Sequence, residues 1–542
     1  MSNSTINLTK KSQSKYYFSP SDDLGLKPYS GEWTQKEAAH LLRRATFGPN
    51  YDQIKASIQL GLQKSIDILF STPAEPGLPI NYYFKDDPEV PVGETWVGKK
   101  VTPNVQGLVP ARNNSLSAWI TRLMLSDTPN VIEKLMLFWH NHLVISNIFN
   151  PNFKYSYILL LRKYALGDFR ELMKKITIEP AMLLYLNGNE NTATAPNENY
   201  AREVLELFTI GKGPLVGDGD YTNYTEQDVV ELARALSGWT VRQGKAFFRS
   251  NKHDKGQKQL SHRFNDTVIN NLEEEEYKKV IDIIFEQEEV SRFISRQLYI
   301  WYVNYNITDD IENNVIEPMA KIIRDNNYVI EPALKALLMS DHFFNECNHG
   351  EMVKSPMDFT LSLIKTGNVP MPAEEIPQYY LANYLNRQVF KKMEQAYFFI
   401  PSVAGWKAYY QEPVFYKFWI SSVTLPLRRN IVNALVDKRV KIRGVKLGLE
   451  LLDIISKFDS PENPDLLLKS FTDLFLPYDL TEEQYEFLKT QVLIPGLPDY
   501  EWTVEYNDYK NNPNDTSKAN AINKKLQNVC KILLNLPENQ LM

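Results

Sequence analysis

The chain has 542 residues, 43% of them hydrophobic and 23% charged, with a formal net charge of −6. That composition excludes a largely disordered protein, and the acidic balance excludes broad nucleic-acid binding, which needs a basic footprint. Cys347 and Cys530 are too few for a disulfide framework or a Cys-rich zinc site, and no apolar run approaches the ~18–20 residues of a transmembrane segment.

Residues 1–31 are polar and Ser/Lys-rich and read as an arm without a core of its own. No hydrophobic signal region forms there, because Ser19, Pro20, Ser21, Asp22 and Asp23 interrupt it, so the expected location of the chain as written is cytoplasmic. Thr34 with Glu37 three residues on has the spacing of a capping box, which opens a helix over 35–45 that stops at Thr46-Phe47-Gly48-Pro49. A second helix is expected over 51–70. From Pro73 to Pro110 seven prolines and four glycines mark a long surface excursion, of the kind usually pinned to a partner or to a function. Helical periodicity resumes over 114–125, 129–142, 155–165, 168–178, 180–186, 198–210 and 226–238.

Residues 239–266 are basic, lack a helical period and alternate weakly, which predicts a β-hairpin or extended flap. Helices follow near 273–286, 289–303, 310–325, 330–340, 355–366 and 384–394, with an irregular stretch over 399–411 and a helical tail after about 450. The expected class is mainly α: a large multi-helix globular domain with long irregular loops and one small β-hairpin or flap.

Pro196 to Gly211 carries a whole helix with its punctuation. Asn197 can cap the first turn and Gly211 can take the left-handed conformation that ends the last. Ala201, Val204, Leu205 and Phe208 form an apolar stripe, while Glu198, Arg202 and Glu206 lie at four-residue spacing on another face beside Asn199 and Glu203. That polar face is either an ion ladder or the wall of a site. A second polar group interrupts an apolar helix at Phe138-Trp139-His140-Asn141-His142. Imidazoles are common metal ligands, but residues two apart sit about 200° apart on a helix and cannot both face one ion unless the helix breaks. Carboxylates and imidazoles from facing helices are how bundles build metal sites.

His253, Asp254 and His262 lie in the basic flap, which would suit an anionic substrate or simply be solvated. Arg43 and Arg44 follow His40 on the first core helix. Since Leu41, Leu42 and Phe47 should be buried, one of the two arginines is expected to pair with an internal carboxylate. No zincin, P-loop, dinucleotide or nucleophile-elbow spacing is present.

These motifs resemble the bacterial domain-of-unknown-function 1800 family. The likeness rests on His40-Leu41-Leu42-Arg43-Arg44-Ala45-Thr46-Phe47-Gly48, Phe138-Trp139-His140-Asn141-His142, the 197–211 helix and Tyr224-Thr225-Glu226-Gln227-Asp228-Val229. It continues through Ala233-Arg234, Gly238-Trp239, His253-Asp254, Lys354-Ser355-Pro356, Pro401 and Gly405-Trp406, in order from about residue 32 to Arg429. The resemblance implies a family core over 32–450 followed by a helical extension over 451–542, and no established activity. It also implies frequent export and a sulfatase-like partner protein, whose gene often neighbours those of the family. This chain departs in having no visible signal sequence, and in carrying Phe208 where many relatives have histidine.

Two functions fit this reading. In the first, a metal-dependent hydrolase of an anionic substrate holds a divalent metal between the 129–142 and 198–210 helices, with the 239–266 flap above. His140 and His142 would be ligands or acid/base groups and Glu203 a ligand or general base; Glu206 would complete the metal set, and Arg202 or Arg234 would orient the anion. In the second, the same groups form a buried network that fixes helix register, and the chain is a non-catalytic scaffold whose Pro-rich excursion docks a partner.

Overall fold

The computed structural model describes residues 25–217 and 220–542; of the expected N-terminal arm, residues 1–24 lie outside the described residues. The architecture is mainly α with small hairpins, as expected. Helix Gln35–Ala45 opens with the full capping box of Thr34 and Glu37. Helix Tyr51–Leu69 follows, broken at Gly61, which takes φ +78°. Among the described residues no helix is long and apolar enough to cross a membrane.

Helix Ile132–His142 lies at the centre, and its residues from Lys134 to His142 are all buried. A helix covered on every side has no solvent face to give to polar groups, so any it carries must be satisfied internally. One continuous apolar core includes residues from Ala38 to Met542, so residues 451–542 pack into the same interior as the first helix. The last residues are tied in by backbone: Val353 bridges Leu541, and the Lys354 N–H donates to the Gln540 carbonyl at 2.7 Å.

Several elements differ from the sequence expectation. Helices Leu108–Met124 and Pro151–Lys163 start earlier than predicted, with Pro110 and Pro151 inside their first turns. Proline marks a loop only when it sits deeper; in the first turn its missing N–H costs nothing. Helix Glu375–Tyr384 precedes the expected start at 384 and runs on into a π-helical turn, Leu385–Phe390. Among the described residues there are four two-stranded hairpins rather than one. One falls in the expected flap, Trp239–Arg242 with Lys245–Phe248, and a second, Lys258–Gln259 with Val268–Ile269, begins in it and ends beyond its expected limit at 266. The hairpin Val440–Ile442 with Val445–Leu447 was unexpected, although its alternating Val-Lys-Ile and Val-Lys-Leu flank Arg443-Gly444, both at positive φ.

The Pro-rich excursion is pinned to its own chain. Arg112 grips Asp87 through two hydrogen bonds of 2.8 and 2.9 Å, both groups buried, and Trp96 Nε1 donates to Ser115 Oγ at 2.9 Å.

Candidate functional site

His140 is completely buried and both its ring nitrogens are taken. The Phe398 backbone N–H donates to Nε2 at 3.0 Å, so the ring proton must be on Nδ1, which donates to the Tyr157 hydroxyl at 3.0 Å. That hydroxyl donates onward to the Leu143 carbonyl at 2.6 Å. Every donor in this relay meets an acceptor only if the imidazole is neutral. Burial first, and then the nearby Lys154 ammonium, push its pKa down to about 3.

His142, two residues on, faces elsewhere as the helical angle requires. Its Nε2 donates to the Phe208 carbonyl at 3.0 Å and its ring stacks on Phe138. Burial lowers its pKa to about 4, with the bond to Phe208 opposing. Between them Asn141 Oδ1 accepts the Trp406 N–H at 2.8 Å. The three polar residues thus tie one buried helix to the 398–406 loop and to the turn holding Phe208.

In the 197–211 segment Asn197 caps as expected, its Oδ1 accepting the Tyr200 N–H at 3.0 Å, and Gly211 ends the segment at φ +72°. Asn197→Ala should therefore cost about 1 kcal/mol in chemical unfolding; an unchanged midpoint would mean the cap is dispensable. Between these ends the chain is α-helical only over Glu198–Glu203 and then π-helical over Val204–Thr209, where Thr209 Oγ1 donates to the Val204 carbonyl five residues back. The wider turn takes Glu206 off the line of Glu198 and Arg202.

The expected ladder is accordingly absent. Arg202 instead grips Glu226 of helix Glu226–Ala235 with two bonds of 2.7 and 2.6 Å, and Glu206 accepts the Tyr224 hydroxyl at 2.8 Å. Arg234 pairs with Asp254 at 2.8 Å and Glu231 at 2.5 Å. The flap is held down from below. His253 and Lys258 both contact Glu276, at 3.2 and 2.6 Å, with all three side chains buried, and Asp228 accepts the Ser261 N–H at 2.7 Å. His262 is exposed.

Glu203 is the exception. It is half-buried and hydrogen-bonds to neither imidazole, and its pKa is pushed up to about 7 by burial and by Glu206, with Arg202 opposing. The segment does pack on the histidine-bearing helix, through Phe208, but His140, His142, Glu203 and Glu206 are not gathered into one ligand set. Among the described residues no three His, Cys, Asp or Glu side chains converge as a metal ion needs. The physical reason is the two-residue spacing of the histidines, together with the use of both His140 nitrogens inside the core.

Sequence reasoning singled out Arg43 and Arg44 but missed their partners and the buried polar group of Asp358 and Arg428 beside them. Arg43 donates to the Asp473 and Leu474 carbonyls at 2.7 and 2.9 Å, and Arg44 to the Val303 and Asn348 carbonyls at 3.2 and 2.6 Å. Neither arginine bonds to a carboxylate, contrary to expectation. They sit on the carbonyl-rich C-terminal ends of helices Pro464–Phe475 and Glu288–Tyr302, where the helix dipole supplies the negative charge.

Lys354 bonds the Asn539 carbonyl at 3.0 Å, and Arg428 bonds the Lys354 carbonyl at 2.8 Å. Burial brings Lys354 down to about 7 and Arg428 to about 9. Asp358 is the buried carboxylate they face; it is ion-paired with Lys134 and accepts Ser355 Oγ at 2.8 Å. The signal was present in the sequence, as consecutive cations on an apolar helix and a Lys-Ser-Pro helix start.

Outside Arg43 a polar cleft of about 690 Å³ is lined by Cys347 and His349 among others. The His349 ring stacks on His40 at 4.0 Å, and the charges at the rim satisfy one another, Lys36 with Glu346 at 2.9 Å and Lys469 with Asp479 at 2.7 Å.

Comparison with curated proteins and with solved structures gives no match. A family model does match, over residues 40–541, described as "Protein of unknown function (DUF1800)". With nearly its whole length matched and its motif residues placed at the centre of the fold, the chain belongs to the domain-of-unknown-function 1800 family.

Proposed function

We propose that this chain works as a non-catalytic helical scaffold, in which the His140–His142 pair and the Arg43–Arg428 group hold the framework and function lies in what the surface binds. The observation that carries this reading is the saturation of His140: one nitrogen accepts, the other donates, and neither lone pair nor proton is left for a substrate or a metal. The scaffold reading is preferred to a metal-dependent hydrolase built on His140, His142, Glu203 and Glu206 because no three His, Cys, Asp or Glu side chains converge among the described residues. A sulfatase-like partner is what the family resemblance suggests for the scaffold, and co-purification from the native host tests it.

The direct test is elemental analysis of the purified chain, with thermal unfolding before and after treatment with a chelator. The scaffold reading expects no stoichiometric metal and an unchanged midpoint. One metal ion per chain, with a lower midpoint after its removal, would overturn it.

A second reading rests on Glu203, whose raised pKa beside a second carboxylate is the pattern of a general acid or base. A carboxyl that is raised from 4.5 to about 7 on folding holds its proton better in the native state. Its contribution to stability is therefore greatest below pH 4.5 and is lost as pH rises towards 7. Glu203→Gln should stabilise the protein relative to wild type above pH 7 and lose that advantage towards pH 4.5. Parallel stability curves for the two proteins across that window would remove the basis of the acid–base reading.

A further inference from the structure

We propose that an apolar cavity between helices Pro356–Thr366, Glu375–Tyr384 and Thr424–Val436 binds a single-chain amphiphile with an anionic head, of the fatty-carboxylate class. This inference goes beyond the scaffold reading, which assigns no ligand. The cavity has a volume of about 320 Å³. An apolar cavity of about 150 Å³ already takes up benzene and excludes water, so by the same measure this one has room for an alkyl chain of roughly ten carbons.

Its floor is hydrocarbon: Ile364, Leu381, Val389, Met393, Leu435 and Leu447 line it, and all are buried. The one polar residue of the interior lining, Thr360, spends its hydroxyl on the Pro356 carbonyl at 2.8 Å, and the exposed polar groups Gln388, Asn430 and Arg439 stand at the mouth. An apolar interior with a few polar groups at one end is the arrangement of small-molecule pockets, and it matches an amphiphile rather than a wholly polar ligand.

The local backbone explains why a cavity forms there. Helix Glu375–Tyr384 continues as the π-helical turn Leu385–Phe390, whose wider winding places Leu385 and Val389 on the cavity wall and Gln388 at the mouth. The hairpin Val440–Ile442 with Val445–Leu447 closes one side. Val440 pairs with Leu447, and both line the cavity; the next pair, Lys441 with Lys446, falls on the opposite face.

Charge selects the head group. Lys438, Arg439, Lys441, Arg443 and Lys446 follow one another with no acidic residue between them. Lys438 is neutralised by Glu450 at 2.7 Å. Arg439 is only loosely held: its Nε lies 3.3 Å from Asp437, whose carboxylate also takes Lys531 at 2.6 Å, and 62% of the Arg439 side chain is exposed. A carboxylate arriving at the mouth would meet a guanidinium free to turn towards it, beside the Asn430 and Gln388 amides. A cationic head would meet repulsion.

The experiment is calorimetric titration of the full chain with decanoate below its micelle concentration, beside decyltrimethylammonium and vesicles of anionic phospholipid. The expected result is saturable one-to-one binding of decanoate, with the cationic amphiphile roughly tenfold weaker or worse, since a hydrogen-bonded charge is worth about that much. Leu435→Trp should abolish binding by filling the cavity. Arg439→Glu, on an exposed side chain that leaves the core intact, should weaken decanoate by a similar roughly tenfold factor while leaving the melting temperature unchanged. Absence of saturable decanoate binding, equal affinity for the two head groups, or binding to vesicles alone would each overturn the proposal.

Discussion

Replacing His140 with alanine is expected to destabilise the protein by about 3–5 kcal/mol, a large share of the stability of an ordinary domain. Two losses combine. The Phe398 N–H keeps its burial but loses its acceptor, and an imidazole-sized void opens among Tyr157, Tyr397, Phe398 and Trp406. The effect should also carry a pH signature. In the unfolded chain the ring titrates near 6.5, while in the fold it stays neutral down to about pH 3. The native state is thus favoured above pH 6.5, and that advantage drains away as pH falls towards 3. Alanine has no proton to bind, so the gap between variant and wild type should narrow from pH 7 to pH 5. Urea unfolding at several pH values measures both. A variant that unfolds at the wild-type midpoint would refute the structural role of this histidine, and with it the scaffold reading.

Much of the framework could be read from sequence because its signals are local. The Thr34 capping box, the Asn197 cap and the Gly211 stop act within a few residues, and each appears where its chemistry places it. The two-residue spacing of His140 and His142 already argued against one shared ion, and the structure sends them to Phe398 and Phe208 respectively. What the sequence could not convey is long-range pairing. Arg43 reaches a helix end 430 residues away, and Arg202 chooses Glu226 over Glu198 and Glu206 because a π-helical turn moves Glu206 off its line. The same limit hid what satisfies Arg43 and Arg44. A helix C-terminus neutralises a cation without leaving any acidic residue in the sequence to announce it.

The other large effect is expected at Asp358, ion-paired with Lys134 where both side chains are almost wholly buried. Asp358→Asn should cost about 3–5 kcal/mol, since it leaves the Lys134 ammonium in the core without its carboxylate, facing the Phe47 ring and the repelling Arg44 cation. Lys134→Met in the same background should restore most of the loss, because an apolar chain of similar length has no charge to desolvate. Burial already holds Lys134 below its usual pKa of 10.5 in the wild type, with Asp358 opposing, and removing that carboxylate drives it lower. A lysine lowered on folding contributes stability above its unfolded pKa and loses it as pH falls, so the single variant should recover as pH is raised towards 10. The double variant should show no such recovery. A double-mutant cycle of the two substitutions, followed by chemical unfolding at pH 7 and pH 9.5, separates pairing from packing. Additive costs with no pH dependence would mean that the two residues act through shape alone, and would refute the ion pair.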